Sequence, residues 1–441
     1  MTSADMASEA TKTGVRRYPP PALSWFVWGI GAIFYLAVFF LRAAPAVMTA
    51  ELMRDFGIGA ASLGNLSAFY FYFYVAAQIP IGALTNSWGP RKLLVCGAIS
   101  AALGQFLFGS TSNFALACLG RAIIGGSTAV GWLVVLRLAA HWFPARRFAM
   151  VSGLGLFFGN LGALFAQVPL RLGVEYFGWR GTALASSALI FSIGILAWLV
   201  VRDDPEEKGF ESYAPAALQQ HDKVTFRSML RGLASVLAIR NTWLLMIAQG
   251  GMVGPIMTFT GLWGAPFLKA RFGLDPRASA TICSLMIICW AVACPIFGGF
   301  SDKIGRRKPA YLIGSLICAA GWTTMIYANL SLPVFIGVAA LTSIATGCVI
   351  IAFAYGRESV PARDMGTVTA TTNIGNMIGN VLLQPGIGMV LDRNWTGTIV
   401  NGARLYSAGA YQAGFALIVG WGLLSCVMIA LTRETGCRQC E

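Results

Sequence analysis

Twelve runs of about 20 apolar residues, each long enough to cross the hydrocarbon core of a bilayer as a helix, decide what this chain can fold into. They fall near 24–48, 61–84, 92–110, 115–138, 148–170, 181–201, 242–268, 278–300, 309–328, 332–355, 366–390 and 408–431. Only 11% of the 441 residues are charged, too few to cover a water-soluble surface, which draws about 25%. Strand-like alternation is absent, so an all-α polytopic fold is expected in place of a porin-type barrel. The 51 glycines suit close helix contacts in lipid, where apolar burial gives helices no drive to associate.

The net charge of +14 sits between the apolar runs and not in one basic patch. It therefore reads as membrane orientation, with the lipid bilayer as partner and no nucleic acid. Most of the 32 lysines and arginines fall in alternate loops, which places both termini in the cytoplasm. The first apolar run is too long for a signal peptide, whose core spans about 7 to 15 residues. The longest polar interval, 202–240, divides the spans six and six. The expected organisation is a tail (1–23), a six-helix half (24–201), a linker (202–240), a second half (241–431) and a tail (432–441). Residues 226–238 have the spacing of a short surface helix. Eight of the ten cysteines lie inside spans as small hydrophobes. Cys437 and Cys440 form a lone pair, and with His141 and His221 the only histidines, neither a metal site nor a cofactor is expected.

An internal repeat links the halves. Gly82, Asn86, Gly89, Arg91 and Lys92 recur as Gly298, Asp302, Gly305, Arg307 and Lys308, at the offset of 302 minus 86, or 216 residues. At the same offset Gly159 and Asn160 match Gly375 and Asn376, and Pro169 matches Pro385. Two parallel six-helix repeats are the plan of carriers whose halves rock about a central site.

At these residues the chain resembles the major facilitator superfamily, whose loop motif between spans two and three is echoed between eight and nine. Gly298, Asp302, Gly305, Arg306 and Arg307 match it in full. The first copy has Asn86 in place of aspartate, and Pro90 before Arg91. The resemblance implies a twelve-helix secondary transporter of the bacterial inner membrane that works by alternating access, and a monomer. It also implies gating by Asn86, Arg91, Asp302, Arg306 and Arg307. A carboxylate there can pair with arginine and cap a neighbouring helix, so the Asn86 copy is expected to be the weaker latch.

The same resemblance puts the solute between the halves. Arg42, a cation within the first span, costs roughly 2.5 kcal/mol or more in lipid unless a partner or substrate holds it. Its context is similar to the organophosphate antiporter and anion:cation symporter branches, where arginine binds an anion. Pairing with Glu51 or reaching the interface stands as the alternative. Arg121 in span four faces either the cavity or a helix end. Asn373, Asn376, Asn380 and Gln384 share one face of span eleven, and Asn160 echoes them in span five. Amides read hydroxyls and carbonyls but also join helices in lipid. Tyr70, Tyr74 and Gln78 share a face on which a planar solute can stack. Trp132, Gln249 and Trp263 complete the candidates. No acidic residue lies near the middle of a span, which disfavours a proton-carrying carboxylate. The leading expectation is transport of a small organic anion. Uptake of a planar nutrient such as riboflavin, drug efflux, and a non-transporting sensor or assembly role are the alternatives. With no P-loop, zinc motif or nucleophile-base pair, an enzyme is not expected, and no catalytic residue is assigned.

Overall fold

The structure is a computed structural model that describes residues 18–214, 234–361 and 364–438, apart from the side chains at 79, 82–83, 85–87, 145, 149 and 366. The Asn86 side chain, His221, Cys440 and most of the expected surface helix at 226–238 lie outside the described residues.

Among the described residues, eleven stretches are long and apolar enough to cross a membrane. A twelfth helical run comes from Ala60–Ser110, which bends at Gly89. The helices are α1 (Pro21–Ala43), α2 (60–88), α3 (90–110), α4 (Phe114–Trp142), α5 (Ala145–Phe165), α6 (179–200) and α7 (Arg240–Phe272). They continue as α8 (Pro276–Ile304), α9 (Lys308–Tyr327), α10 (Leu332–Glu358), α11 (Met365–Arg393) and α12 (Ala408–Leu431). A helical extension of α5, residues 168–177, runs up to Gly178. A two-stranded hairpin, β1 (Ile399–Val400) and β2 (Ala403–Arg404), sits between α11 and α12. The fold is all-α and polytopic.

Local chemistry sets the ends. Asn113, Asp275 and Ser407 accept backbone N–H groups at the starts of α4, α8 and α12, as N-cap residues do. Prolines occupy the first turn of α1, α8, α9 and α10, where a missing N–H costs nothing.

The 216-residue repeat is visible in backbone geometry. Gly89 and Gly305 both take left-handed φ values, 76° and 69°, which glycine adopts without steric cost. Two residues later, the Arg91 amide donates to Asp203 at 2.5 Å and the Arg307 amide donates to Glu434 at 2.9 Å. Each carboxylate caps a new helix and comes from just past the last helix of its own set of six. At Gly89 a side chain would overlap the Asp203 carboxylate.

One apolar cluster is built from residues 27–201 with Met377 added. The larger cluster is built on 245–429 but draws in residues 44–66 and parts of α3, α4 and 166–183. The two sets of six helices are therefore packed together at the end that carries the hairpin.

Candidate functional site

A small cleft lies between the two sets of helices, bounded by Arg42, Phe71, Asn160, Thr260, Trp290 and Gln384. Backbone irregularity shapes it. Helix α1 ends at Ala43 and the chain tightens into a 3-10 turn, Ala44–Val47, so Arg42 sits in the last helical turn. Opposite it, Pro255 interrupts α7 and a π-helical turn, Phe259–Trp263, follows. Such turns re-aim side chains and gather at functional sites. Here the turn brings Thr260 and Gly261 to the cleft.

Arg42 is 9% exposed. Its guanidinium stacks on the Phe39 ring at 3.8 Å from the centroid, and Tyr35, Tyr70 and Tyr74 lie close enough to sense its charge. No carboxylate pairs with it among the described residues. The alternative partner, Glu51, is engaged elsewhere, accepting from Arg171 at 2.7 Å. Arg121 is 1% exposed and donates to the Leu41 carbonyl at 2.8 Å, one residue from Arg42. Its Nε and second terminal nitrogen are buried without partners. Two arginines therefore share the α1–α4 contact with no described counter-charge.

The span-eleven amides divide. Asn376 and Gln384 each bury a side-chain oxygen without a partner, as Trp290 does its ring N–H, so the cleft region holds unspent hydrogen-bonding capacity. Asn380 is committed instead to Thr258, Met257 and the Asn376 carbonyl. Asn373, from the other set of helices, and Gln78 both lie near the Tyr74 hydroxyl. Tyr70 stacks on Tyr74 at 5.9 Å, and its hydroxyl lies 2.9 Å from that of Thr128. Trp132 packs on Tyr35. Gln249 is fully buried between the Tyr311 hydroxyl and the Val349 carbonyl, within α7, α9 and α10. Trp263 donates to the Gln384 carbonyl and holds α7 against α11. Neither Gln249 nor Trp263 lines the cleft; both join helices.

Thr260 and Trp290 line the cleft without being among the candidates named from the sequence. Pro255 and Gly261 signal the broken helix that brings Thr260 in. Trp290 carries no local signal, since a tryptophan in an apolar run looks like bulk.

Of the gating candidates, Arg307 is the centre of a cluster. It pairs with Asp302 at 2.6 Å and Glu358 at 2.7 Å, and Ser301 adds a hydrogen bond. All of these belong to the second set of six helices. Burial alone raises the Glu434 carboxyl, but N–H donors from Arg307, Gly436, Lys308 and Thr435 outweigh it and hold the group below the usual range. Arg91 donates to the Trp198 carbonyl at 2.7 Å, and Arg306 is exposed.

The model of the Major Facilitator Superfamily matches residues 27–384 and 257–436. The chain belongs to this superfamily. A protein of Agrobacterium vitis, named "Putative tartrate transporter", is 23% identical over 93% of this chain and 90% of its own length. A "Probable hexose phosphate transport protein" of Chlamydia pneumoniae is 24% identical over 65% of this chain and 66% of its own. Among solved structures, a bacterial homologue of the human lysosomal transporter Spinster, inward-facing and unoccupied, superposes with a TM-score of 0.75. That match covers 93% of this chain and 96% of the other at 17% identity, a likeness of fold. Major facilitator proteins are transporters and not enzymes, and this chain is a multi-pass membrane transporter.

Proposed function

We propose that this protein is a secondary carrier of small organic anions with two negative charges, moved by alternating access across a bacterial inner membrane. The observation that carries the reading is the pair Arg42 and Arg121, buried beside the cleft with no carboxylate partner among the described residues. A desolvated cation without a counter-charge is costly, and a dianionic solute supplies the missing charge. Tartrate and hexose phosphates, named for two relatives, both carry two charges near neutral pH. The halves 24–201 and 241–431 rock about the cleft, with the 202–240 linker and both termini in the cytoplasm, as the lysine and arginine distribution supports. Asn160, Asn376, Gln384 and Trp290 orient the uncharged part of the solute.

Thermal-shift measurements on the purified protein test this. A ligand of the native state raises the melting temperature. Tartrate, a sulfonated carboxylate or glucose 6-phosphate is expected to do so, and riboflavin or a lipophilic cationic dye is not. Stabilisation by riboflavin or the dye alone overturns the anion reading.

A further inference from the structure

The polar contacts described between the two sets of helices gather at the hairpin end. There Gln167 donates to the Thr260 carbonyl at 3.0 Å, and Arg277 reaches Glu175, which also pairs with Arg171. The densest of these contacts centres on Asp392, in the last turn of α11. Its carboxylate accepts the Ala60 and Ala61 amides, at 3.1 and 2.8 Å, the first turn of α2. It also accepts the Tyr406 hydroxyl at 2.6 Å and pairs with Arg404 of β2 at 3.2 Å. Tyr406 in turn accepts the Ala60 amide at 2.9 Å. The sequence shows why this fits. Gly59 leaves the carboxylate its space, and side chains at Gly64 or Gly388 would overlap the backbone of the facing helix. Helices α2 and α11 thus meet backbone to backbone, and Asp392 closes the junction.

We propose that Asp392 is the positioning residue that latches the hairpin end shut, and that it sets the resting balance of the carrier. This rests on the alternating-access reading but not on any identity of solute. A carboxylate on a helix N-terminus satisfies orphan amides and the helix dipole together. It can do so only while α2 and α11 touch, so its stabilisation belongs to one state alone. A group that interacts with one of two states shifts the equilibrium by that difference. The loop motif, by contrast, has lost its charge at Asn86 in its first copy. A strong latch at the hairpin end and a weakened one at the linker end bias the resting protein toward the state closed at the hairpin end. Asp392 touches no part of the cleft, so it acts on the balance of states and not on the solute.

Hydrogen exchange of the full-length protein in lipid nanodiscs, without added solute, reads this directly. Asp392→Ala is expected to speed exchange across 58–66 and 384–392 by about five-fold or more, the worth of a lost helix cap of about 1 kcal/mol. Exchange at the linker end, over 137–143 and 352–358, is expected to slow in the same sample, as that end closes. Asp392→Asn and Arg404→Gln keep part of the junction and should give the same reciprocal pattern with smaller amplitude. Faster exchange at 58–66 with an unchanged linker end in all three variants makes Asp392 a local cap and overturns the proposal. Because no solute is present, that result is separate from any failure of the anion reading.

Discussion

Lipid makes an unpaired guanidinium costly, and the cleft leaves Arg42 without a carboxylate partner among the described residues. Arg42→Ala is expected to weaken binding of a dianion about thirty-fold, the worth of a charge-assisted hydrogen bond near 2 kcal/mol. Arg42→Lys keeps the charge but loses the planar fork, so an intermediate loss is expected. Isothermal titration with tartrate or glucose 6-phosphate measures both. Gln249→Ala should instead lower the melting temperature, with little change in affinity in the protein that remains folded, because its partners are Tyr311 and Val349. These two residues also mark how far a sequence can be read. A cation in an apolar run announces itself, since few roles can offset its cost. An amide in a span serves a solute or a neighbouring helix equally well, and only the three-dimensional partners separate Asn376 from Asn380.

At the scale of elements, helix junctions carry the predictions. Gly64→Val forces α2 away from the Gln384 carbonyl and is expected to cut transport by more than about ten-fold, because overpacking a close contact costs 1–3 kcal/mol. Gly29→Ala, where nothing lies within 4 Å, is the control, and uptake by proteoliposomes compares the two. The Glu434 cap gives a pH dependence. Its folded carboxyl lies below the ordinary 4.5, so its contribution is present above that value and is lost as pH falls through the lower folded value. The start of α9 should therefore exchange amide hydrogens faster, relative to the pH-corrected intrinsic rate, as pH falls through the lowered Glu434 value, and Glu434→Gln should remove that step. The spans were legible because about 20 apolar residues leave a helix no other place to go. The π-helical turn in α7 and the Asp392 junction were not. Both depend on which helices meet, and an aspartate just past an apolar run reads as an ordinary loop residue.

Across the whole molecule, one local geometry recurs in the two sets of six helices, with left-handed glycines at 89 and 305 and capped arginine amides at 91 and 307. That symmetry was readable from a single 216-residue offset, because the loop motif is local in sequence. The join between the sets was not, since it pairs residues far apart in the sequence, such as Ala60 and Asp392, 332 positions apart. The proposed cargo is a small organic dianion held by Arg42 and Arg121. Counterflow reads this out in proteoliposomes preloaded with unlabelled tartrate, or with glucose 6-phosphate, and diluted into the labelled form. The wild-type protein is predicted to show a transient overshoot of label with one of these solutes, and Arg42→Ala to lose it while remaining folded. An overshoot of equal size in Arg42→Ala would mean that Arg42 does not hold the solute.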